Sequence, residues 1–271
     1  MKILITGGNG NIAQMIKRNL GNKYNITNLS HTELDILDFK QVKEYLDKNN
    51  FDILVHTAIK GGRRTKEETG EITHINVLMF ENLIFFADKF KMIINLDSAA
   101  IYDRTTDILN RKENELLTIP TDYYGFSKYV IYNRTLNHNN CFNFRIFNIF
   151  HKNEEPDRFI KSCFLAKKNN TIVTIFEDKY FDFVYEDDFI KIVDYYFTNC
   201  YNTNKLDKTI NICYKKKYKL SEIALLIIKD ESKIIINKNY STNNYSGNNE
   251  LLENKKLDLL NLEESLIKCA L

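Results

Sequence analysis

The sequence contains no tryptophan, only two prolines and no long hydrophobic run. No apolar run approaches the roughly 20 residues that a membrane-spanning helix needs, so we predict no membrane span. A charge excess of one sign is also lacking, because 38 Lys and Arg residues are balanced by 36 Asp and Glu residues, which gives a net charge of +2. We therefore expect no binding to nucleic acid or to an anionic membrane surface.

Cysteine pairs are absent too. The five cysteines are scattered at positions 141, 163, 200, 213 and 269, with no Cys-x-x-Cys pair among them. An odd, dispersed set predicts reduced thiols and a cytoplasmic protein. The histidines lack the spacing of metal ligands, so we expect no metal, and we interpret His56 as a packing residue at a strand end.

Glycine is scarce, with nine residues, but three of them fall in one stretch near the N-terminus. The apolar run Ile3–Ile5 before them predicts a buried parallel strand, and the apolar spacing after them predicts a helix. A tight turn between a strand and a helix points backbone N–H groups and the positive helix end at an anion such as a diphosphate. The spacing Gly7-x-x-Gly10-x-x-Ala13 therefore predicts a dinucleotide site. Its predicted contacts are Gly7, Gly10, Asn11 and Ile12.

A second strand is predicted at Asn25–Leu29, and Ser30 and His31 follow it as further cofactor contacts. An Asp or Glu at this point normally binds the ribose 2′-hydroxyl of NAD. The first acid here is Glu33, and a missing carboxylate removes repulsion against a 2′-phosphate. The sequence therefore favours NADP(H) over NAD(H). The Arg63–Arg64 pair is interpreted either as a solvated loop or as a partner for a phosphate.

Apolar and amphipathic segments then alternate, which predicts an α/β fold with a doubly wound parallel sheet. The predicted elements are a third strand over 33–38, a helix over 39–48, a fourth strand over 51–56, a helix over 75–90 and a fifth strand over 92–96. Asp38 is also a candidate N-cap for the helix over 39–48. Ligands bind at the carboxyl ends of such strands. Further cofactor contacts are therefore predicted at Asp35, Ile36, Thr57 and Ala58.

Candidate catalytic groups follow the fifth strand. Ser98 ends that strand, and Tyr124 and Lys128 are four residues apart on a predicted helix, so they share one face. An unperturbed tyrosine has a pKa of about 10, and a nearby ammonium favours its phenolate form. Tyr-x-x-x-Lys alone also fits a surface helix, but together with the glycine turn and Ser98 it predicts proton transfer to a substrate.

These motifs resemble the extended short-chain dehydrogenase/reductase family, the NAD-dependent epimerases and dehydratases, in particular its nucleotide-sugar members. The resemblance implies a Rossmann-type NAD(P)-binding domain over residues 1–150. It implies a smaller substrate-binding lobe mostly over 151–271, with segments that return to the first domain. It also implies that Ser98, Tyr124 and Lys128 are catalytic, that Tyr124 and Lys128 also contact the cofactor, and that Asn76 supports a water network in the site.

The residues after Ser98 narrow the reaction that the resemblance implies. Family dehydratases carry an acidic pair there and decarboxylases a Glu, whereas this chain has Ala99 and Ala100. Residues 33–38 and 56–62 look most like GDP-fucose synthase, a 4-ketoreductase like the dTDP-4-dehydrorhamnose reductases. Its epimerising Cys falls on Ala100 and its His near Asn153, so both groups are missing, although His151 is two residues away.

We therefore expect NAD(P)H-dependent reduction of a 4-keto group on a nucleotide-linked sugar. Two alternatives stay open: a 4-epimerase with tightly bound NAD, and a cofactor-binding protein without activity. Phe181 stands where the family segment Arg-Asp-Phe-Val-x-Val-Asp-Asp has its arginine. The family also pairs helices near Asn76–Lys89 and Tyr124–Asn137 into a homodimeric four-helix bundle. The following apolar residues fit such a bundle and equally fit an ordinary core: Val77, Phe80, Leu83 and Ile84.

Overall fold

Parallel strands flanked by helices form the fold in a computed structural model that describes residues 1–62, 68–237 and 243–270. The strands are β1 Lys2–Thr6, β2 Asn25–Leu29, β3 Ile53–His56, β4 Met92–Ser98, β5 Ile108–Arg111, β6 Cys141–Ile146, β7 Ile149–Phe150, β8 Val173–Ile175, β9 Val184–Tyr185, β10 Thr209–Ile212, β11 Ile234–Ile236 and β12 Tyr245–Gly247. The helices are α1 Asn11–Leu20, α2 Phe39–Lys48, α3 Gly70–Ile84, α4 Tyr123–Thr135, α5 Phe159–Asn169, α6 Glu186–Thr198, α7 Leu220–Ile228, α8 Glu250–Glu253 and α9 Leu262–Ala270.

A six-stranded sheet in the order β10-β6-β4-β3-β1-β2 forms the centre of the fold. The pairs β1–β2, β1–β3 and β3–β4 are parallel. Residues of both pleat faces are buried in the inner strands, as in the run Ile3–Ile5, because helices cover both faces of such a sheet. This confirms the predicted Rossmann-type doubly wound sheet. Smaller two-stranded sheets pair β5 with β12, β7 with β9 and β8 with β11.

Contacts within the described chain divide it into two compact units with interleaved segments. Unit 1 comprises Met1–Asp103, Leu116–Arg145 and Ile190–Ile210, and unit 2 comprises Arg104–Glu115, Ile146–Phe189 and Asn211–Leu271. The predicted boundary at residue 150, with later segments that return to the first domain, stays a prediction. Residues 190–210 return to unit 1 because Tyr196 and Phe197 are fully buried there. The Tyr196 ring packs 4.6 Å from the Phe144 ring, centroid to centroid. The roles of the two units stay predictions.

Residues 33–38 form turns instead of the predicted third strand. Their backbone hydrogen bonds are local, from Leu34 N–H to the Ser30 carbonyl and from Asp38 N–H to the Asp35 carbonyl. The Asn82 side chain on α3 donates to two further carbonyls of this segment. The alternative interpretation of Asp38 is confirmed, because its carboxylate accepts from the Lys40 and Gln41 N–H groups at the start of α2.

The helix predicted over 75–90 begins five residues earlier and ends six residues earlier, as α3. The sequence does not indicate that α3 begins at Gly70, because glycine is a poor helix former. At the C-terminal end of α3 the backbone hydrogen bonds change to the i→i+3 pattern, as from the Phe86 N–H to the Leu83 carbonyl. A short 3₁₀ turn follows at Ala87–Lys89. Three of the four apolar residues weighed for a dimer interface, Phe80, Leu83 and Ile84, lie in the hydrophobic core, and Val77 packs against it.

All five cysteines are free and buried. None of the helices in the described ranges combines the length and the apolar character that a membrane crossing requires.

Candidate functional site

The glycine turn joins β1 to α1 through close backbone contacts. Gly7 has a φ of +67°, and a Cβ on it would lie 2.8 Å from the backbone of Ala58 at the end of β3. A Cβ on Gly8 would lie 2.8 Å from the Leu29 backbone, and the Gly8 N–H donates to the Leu29 carbonyl. The turn therefore fits only glycine at both positions. Sequence reasoning selected Gly7 and Gly10 but missed Gly8.

The N-terminus of α1 fits a diphosphate. Gly10 is its N-cap, and no side chain caps the helix. The first intrahelical bond runs from the Gln14 N–H to the Gly10 carbonyl, so the N–H groups of Asn11 and Ile12 have no partner within the helix. These donors, the positive helix end and the absence of a Cβ at Gly10 are what a dinucleotide phosphate requires.

A carboxylate stands at the end of β2, where the sequence predicts none. Glu33 folds back, and its Oε2 accepts from the Ser30 N–H at 2.8 Å and from the Ser30 hydroxyl at 2.6 Å. These hydrogen bonds lower the pKa of Glu33, so the group is anionic at neutral pH. The premise for favouring NADP(H) therefore does not hold. A candidate phosphate partner, Arg63–Arg64, lies outside the described residues.

The other cofactor contacts predicted after β2, namely His31, Asp35 and Ile36, lie in the turns that follow this strand. His31 is exposed, and its Nδ1 lies 3.4 Å from the Asp35 carboxylate. That carboxylate also accepts from the Leu37 N–H at 3.0 Å. The Ile36 side chain is buried in the hydrophobic core, so only its backbone is available to a ligand.

The end of β3 is tied to β1 by side chains. The Thr57 hydroxyl donates to the Thr6 carbonyl at 2.7 Å, and the His56 Nδ1 lies 2.9 Å from the Thr6 hydroxyl. Burial, with the Lys128 charge as a second cause, lowers the pKa of His56 to about 3. The imidazole is therefore neutral at physiological pH, and His56 packs in the core as the sequence suggests.

The loop after β3 is fixed by Asn76. This fully buried amide accepts from the Lys60 N–H and donates to the Lys60 carbonyl, both at 2.9 Å. It also donates to the Ser127 hydroxyl on α4 at 3.2 Å. The loop then reaches Gly62, where a Cβ would lie 2.9 Å from the Tyr124 ring. Asn76 therefore holds the loop that packs on Tyr124.

Lys128 contacts the end of β4, the strand that Ser98 ends. The Lys128 Nζ donates to the Leu96 carbonyl at 2.6 Å and lies 5.8 Å from the Tyr124 ring centroid. Burial lowers the pKa of Lys128 to about 8, and the Asp97 charge opposes that shift. The Ser98 hydroxyl oxygen accepts from the Ala100 N–H at 3.2 Å and so caps the 3₁₀ turn Ala99–Tyr102.

Gly125 lets α4 approach this 3₁₀ turn. A Cβ at Gly125 would lie 2.7 Å from the Ala100 carbonyl oxygen. Asp122 begins the helix as its N-cap, because its carboxylate accepts from the Gly125 N–H at 2.8 Å. The three predicted catalytic residues all belong to unit 1, at the end of β4 and on α4: Ser98, Tyr124 and Lys128.

Sequence reasoning missed a buried ion pair behind Ser98. The Asp97 Oδ2 accepts from the Arg145 Nε at 2.8 Å, and both side chains are fully buried. The Arg145 Nη1 also donates to the Tyr102 hydroxyl at 2.8 Å. Only the charge of Asp97 next to Ser98 could have signalled this pair in the sequence.

In unit 2, Phe181 belongs to an aromatic cluster. Its ring centroid lies 4.9 Å from that of Phe183 and 5.0 Å from that of Tyr245. A residue in this role offers no charge to a sugar nucleotide, in contrast to the arginine of the family segment. His151 directly follows β7 in unit 2.

The model of the NAD dependent epimerase/dehydratase family matches residues 3–213. Curated protein sequences give no match. A solved GDP-mannoheptose C4 reductase from Campylobacter jejuni, with NADP bound, is 17% identical with a TM-score of 0.80, over 98% of this chain and 95% of that chain.

Two further solved structures are similar. A dTDP-4-dehydrorhamnose reductase from Clostridium acetobutylicum is 18% identical with a TM-score of 0.81, over 99% of this chain and 98% of that one. A dTDP-glucose 4,6-dehydratase from Bacillus anthracis, in complex with NAD, is 14% identical with a TM-score of 0.79, over 100% and 95% of the two chains. At these identities the likeness shows the fold alone.

Proposed function

Because the chain belongs to the NAD dependent epimerase/dehydratase family, we propose that it reduces a keto group, at C4, of a nucleotide-linked sugar with a nicotinamide cofactor. The observation that carries this proposal is the contact of Lys128 with the end of β4. Its ammonium bonds the Leu96 carbonyl two residues before Ser98, and the Tyr124 ring lies on the same helix face. The solved reductases named above support the substrate class.

The proposed mechanism divides the work between the cofactor and the chain. When bound, the cofactor supplies the hydride. The Ser98 hydroxyl donates a hydrogen bond to the substrate carbonyl oxygen and orients it. Tyr124 gives its proton to the alkoxide that develops on that oxygen, and Lys128 stabilises the resulting phenolate and binds the nicotinamide ribose. The N–H groups at the start of α1 hold the diphosphate.

Dehydration is not proposed, because the positions after Ser98 carry no acid. Ala99 and Ala100 are fully buried in the 3₁₀ turn, and neither side chain can transfer a proton. We propose that unit 2 supplies the sugar-nucleotide contacts. In that role the Phe181 cluster would offer apolar surface where the family has a charge. A homodimer is proposed only by analogy with the family.

A tyrosine substitution tests the proposal. Tyr124→Phe keeps the ring that packs on Gly62 but removes the proton, so turnover should fall by roughly 10²–10⁴-fold, the usual contribution of general acid catalysis. Cofactor binding, followed by nicotinamide fluorescence, should stay nearly intact. Tyr123→Phe is the matched control, because Tyr123 is exposed and is the preceding residue on the same helix. Near-normal turnover in the Tyr124 variant would exclude the role.

A 4-epimerase that keeps NAD bound is the second candidate, and the Glu33 carboxylate favours it. An acid at the end of β2 suits the free ribose 2′-hydroxyl of NAD. The NADP bound to the GDP-mannoheptose C4 reductase named above opposes this. A panel of keto-sugar nucleotides with NADH or NADPH separates the candidates. Consumption of reduced cofactor supports the reductase; NAD found in the purified protein, with no consumption, supports the epimerase.

A further inference from the structure

We propose that Asp97 is a positioning residue for Lys128, a fixed buried counter-charge that keeps the Lys128 ammonium protonated and seated at the end of β4. The catalytic consequence rests on the function proposed above. The charge relationship itself rests on the geometry around β4 in unit 1.

Among the described residues, Arg145 is the hydrogen-bond partner that holds the Asp97 carboxylate. Arg145 on β6 donates its Nε–H to Oδ2, and the guanidinium is itself fixed between two rings. Its central carbon lies 4.7 Å from the ring centroid of Tyr102 and 5.0 Å from that of Tyr132, which is four residues after Lys128 on α4. The Asp97 carboxylate is therefore anchored at the packing surface of the helix that carries Lys128.

The other carboxylate oxygen is the reason for inferring more than an ion pair. Asp97 Oδ1 is buried and has no hydrogen-bond partner in the described part of the chain. A buried carboxylate whose charge served only Arg145 would be expected to use both oxygens. The unsatisfied oxygen leaves part of the negative charge to act on neighbouring cations.

Lys128 is the cation that needs this charge. Its ammonium is buried and bonds the neutral Leu96 carbonyl of the residue before Asp97, which does not offset the loss of hydration. The titratable groups facing it are His56 on β3, which stays neutral, Tyr124 on α4 and Asp97 on β4, with Arg145 behind Asp97. Asp97 is the anion among them, so it favours the protonated lysine that the mechanism uses.

The test measures the titration of Lys128 directly. Protein labelled with ¹⁵N-lysine gives an Nζ resonance for Lys128, identified by its loss in Lys128→Arg, and its midpoint is followed with pH. Asp97→Asn should lower the midpoint by about one unit or more, and Arg145→Met should raise it, because Asp97 then acts on Lys128 alone. An unchanged midpoint in the Asp97 variant, or shifts of the same direction in both, would overturn the proposal.

Each single variant leaves one buried charge without its partner and can fail to fold. The double variant Asp97→Asn/Arg145→Met removes both charges and should fold, with a midpoint below that of the wild type. A wild-type midpoint in the double variant contradicts the proposal. A purely structural role for Asp97 predicts lower stability without movement of the midpoint.

Turnover assays run alongside separate this inference from the proposed function. Opposite shifts of the Lys128 midpoint in a protein that reduces no keto sugar would uphold the charge relationship and overturn the proposed function. If the wild type reduced a keto sugar but the Lys128 midpoint did not change in the Asp97 and Arg145 variants, the Asp97 proposal alone would be overturned.

Discussion

The Glu33 carboxylate lies at the end of β2, where the cofactor ribose is predicted to bind. It is anionic and bonded to Ser30, so a 2′-phosphate placed there meets a like charge. Glu33→Gln removes the charge and keeps the shape, and we expect NADPH to bind about tenfold more tightly. NADH should lose affinity by a few-fold. Titration of nicotinamide fluorescence measures both.

A matched control is available on α2. Glu44→Gln makes the same charge change on an exposed helix face, and we expect both affinities to stay as in the wild type. If Glu33→Gln changed neither affinity, the carboxylate would not be part of the cofactor site.

His56 should make the fold sensitive to acid. Its pKa is about 3 in the folded protein and about 6.5 when unfolded, so the unfolded chain binds a proton first as the pH falls. The contribution of neutral His56 to the free energy of unfolding should therefore be fully present above pH 6.5. It should decline toward pH 3, by up to about 1.4 kcal/mol per pH unit. Urea unfolding at pH 7, 6 and 5 measures the slope.

His56→Gln should flatten this dependence, because glutamine does not titrate and can still bond the Thr6 hydroxyl. His74→Gln is the control, since His74 is exposed on α3 and should leave the slope unchanged. A wild-type slope in His56→Gln would show that other groups cause the loss of stability in acid.

At single residues, the sequence predicts roles that depend on local backbone geometry. It does not predict contacts that depend on how the chain turns back on itself. The need for glycine at position 7 follows from a tight turn, and the structure shows its positive φ. The carboxylate of Glu33 reaches the end of β2 only because residues 30–34 turn back on themselves. Likewise Asp97 and Arg145 are 48 residues apart, and nothing in their spacing predicts their contact.

The packing of α4 on the 3₁₀ turn should depend on one glycine. Gly125→Ala would place a methyl group 2.7 Å from the Ala100 carbonyl oxygen, so the helix that carries Tyr124 and Lys128 must shift. Overpacking of this kind costs about 1–3 kcal/mol, and we expect turnover to fall at least as clearly as stability. Urea denaturation and the reductase assay measure the two effects.

Gly70→Ala is the matched control on α3. Its nearest contact for a new Cβ is the Tyr123 ring at 3.6 Å, an ordinary van der Waals distance. Alanine at a helix position should stabilise by up to about 1 kcal/mol. Equal effects of the two substitutions would mean that the close approach at Gly125 is not what positions α4.

Among the elements, the buried strands were predictable and the connections were not. β1 extends the predicted run Ile3–Ile5 by one residue at each end, β2 matches its predicted range and β3 lies within its own. Apolar runs of this kind reflect burial on both faces of the sheet. Residues 33–38 alternate acidic and apolar side chains, which is the pattern of a strand. Leu34 and Ile36 are buried in the core cluster, as a strand would bury them, but the backbone forms turns. Their burial comes from turns fixed by Asn82, a contact across 45 residues and more that no local pattern contains.

In the whole molecule, the interleaving of the two units predicts how the chain can be divided. Unit 1 needs residues 190–210, since side chains of α6 such as Tyr196 and Phe197 are fully buried. The Tyr24 hydroxyl also donates to the Asp194 carboxylate at 2.6 Å. A fragment of residues 1–150 contains the glycine turn and the catalytic candidates but lacks this segment and β10 at the sheet edge.

We expect the fragment 1–150 to lack a cooperative urea transition and to bind neither NADH nor NADPH, because the aromatic contacts of Tyr196 with Phe142 and Phe144 would be missing. The full chain, measured in parallel, should show both properties. The sequence predicts a first domain up to about residue 150, and we expect later segments to return to it. Cooperative unfolding and cofactor binding by the fragment would show that residues 190–210 are dispensable for unit 1.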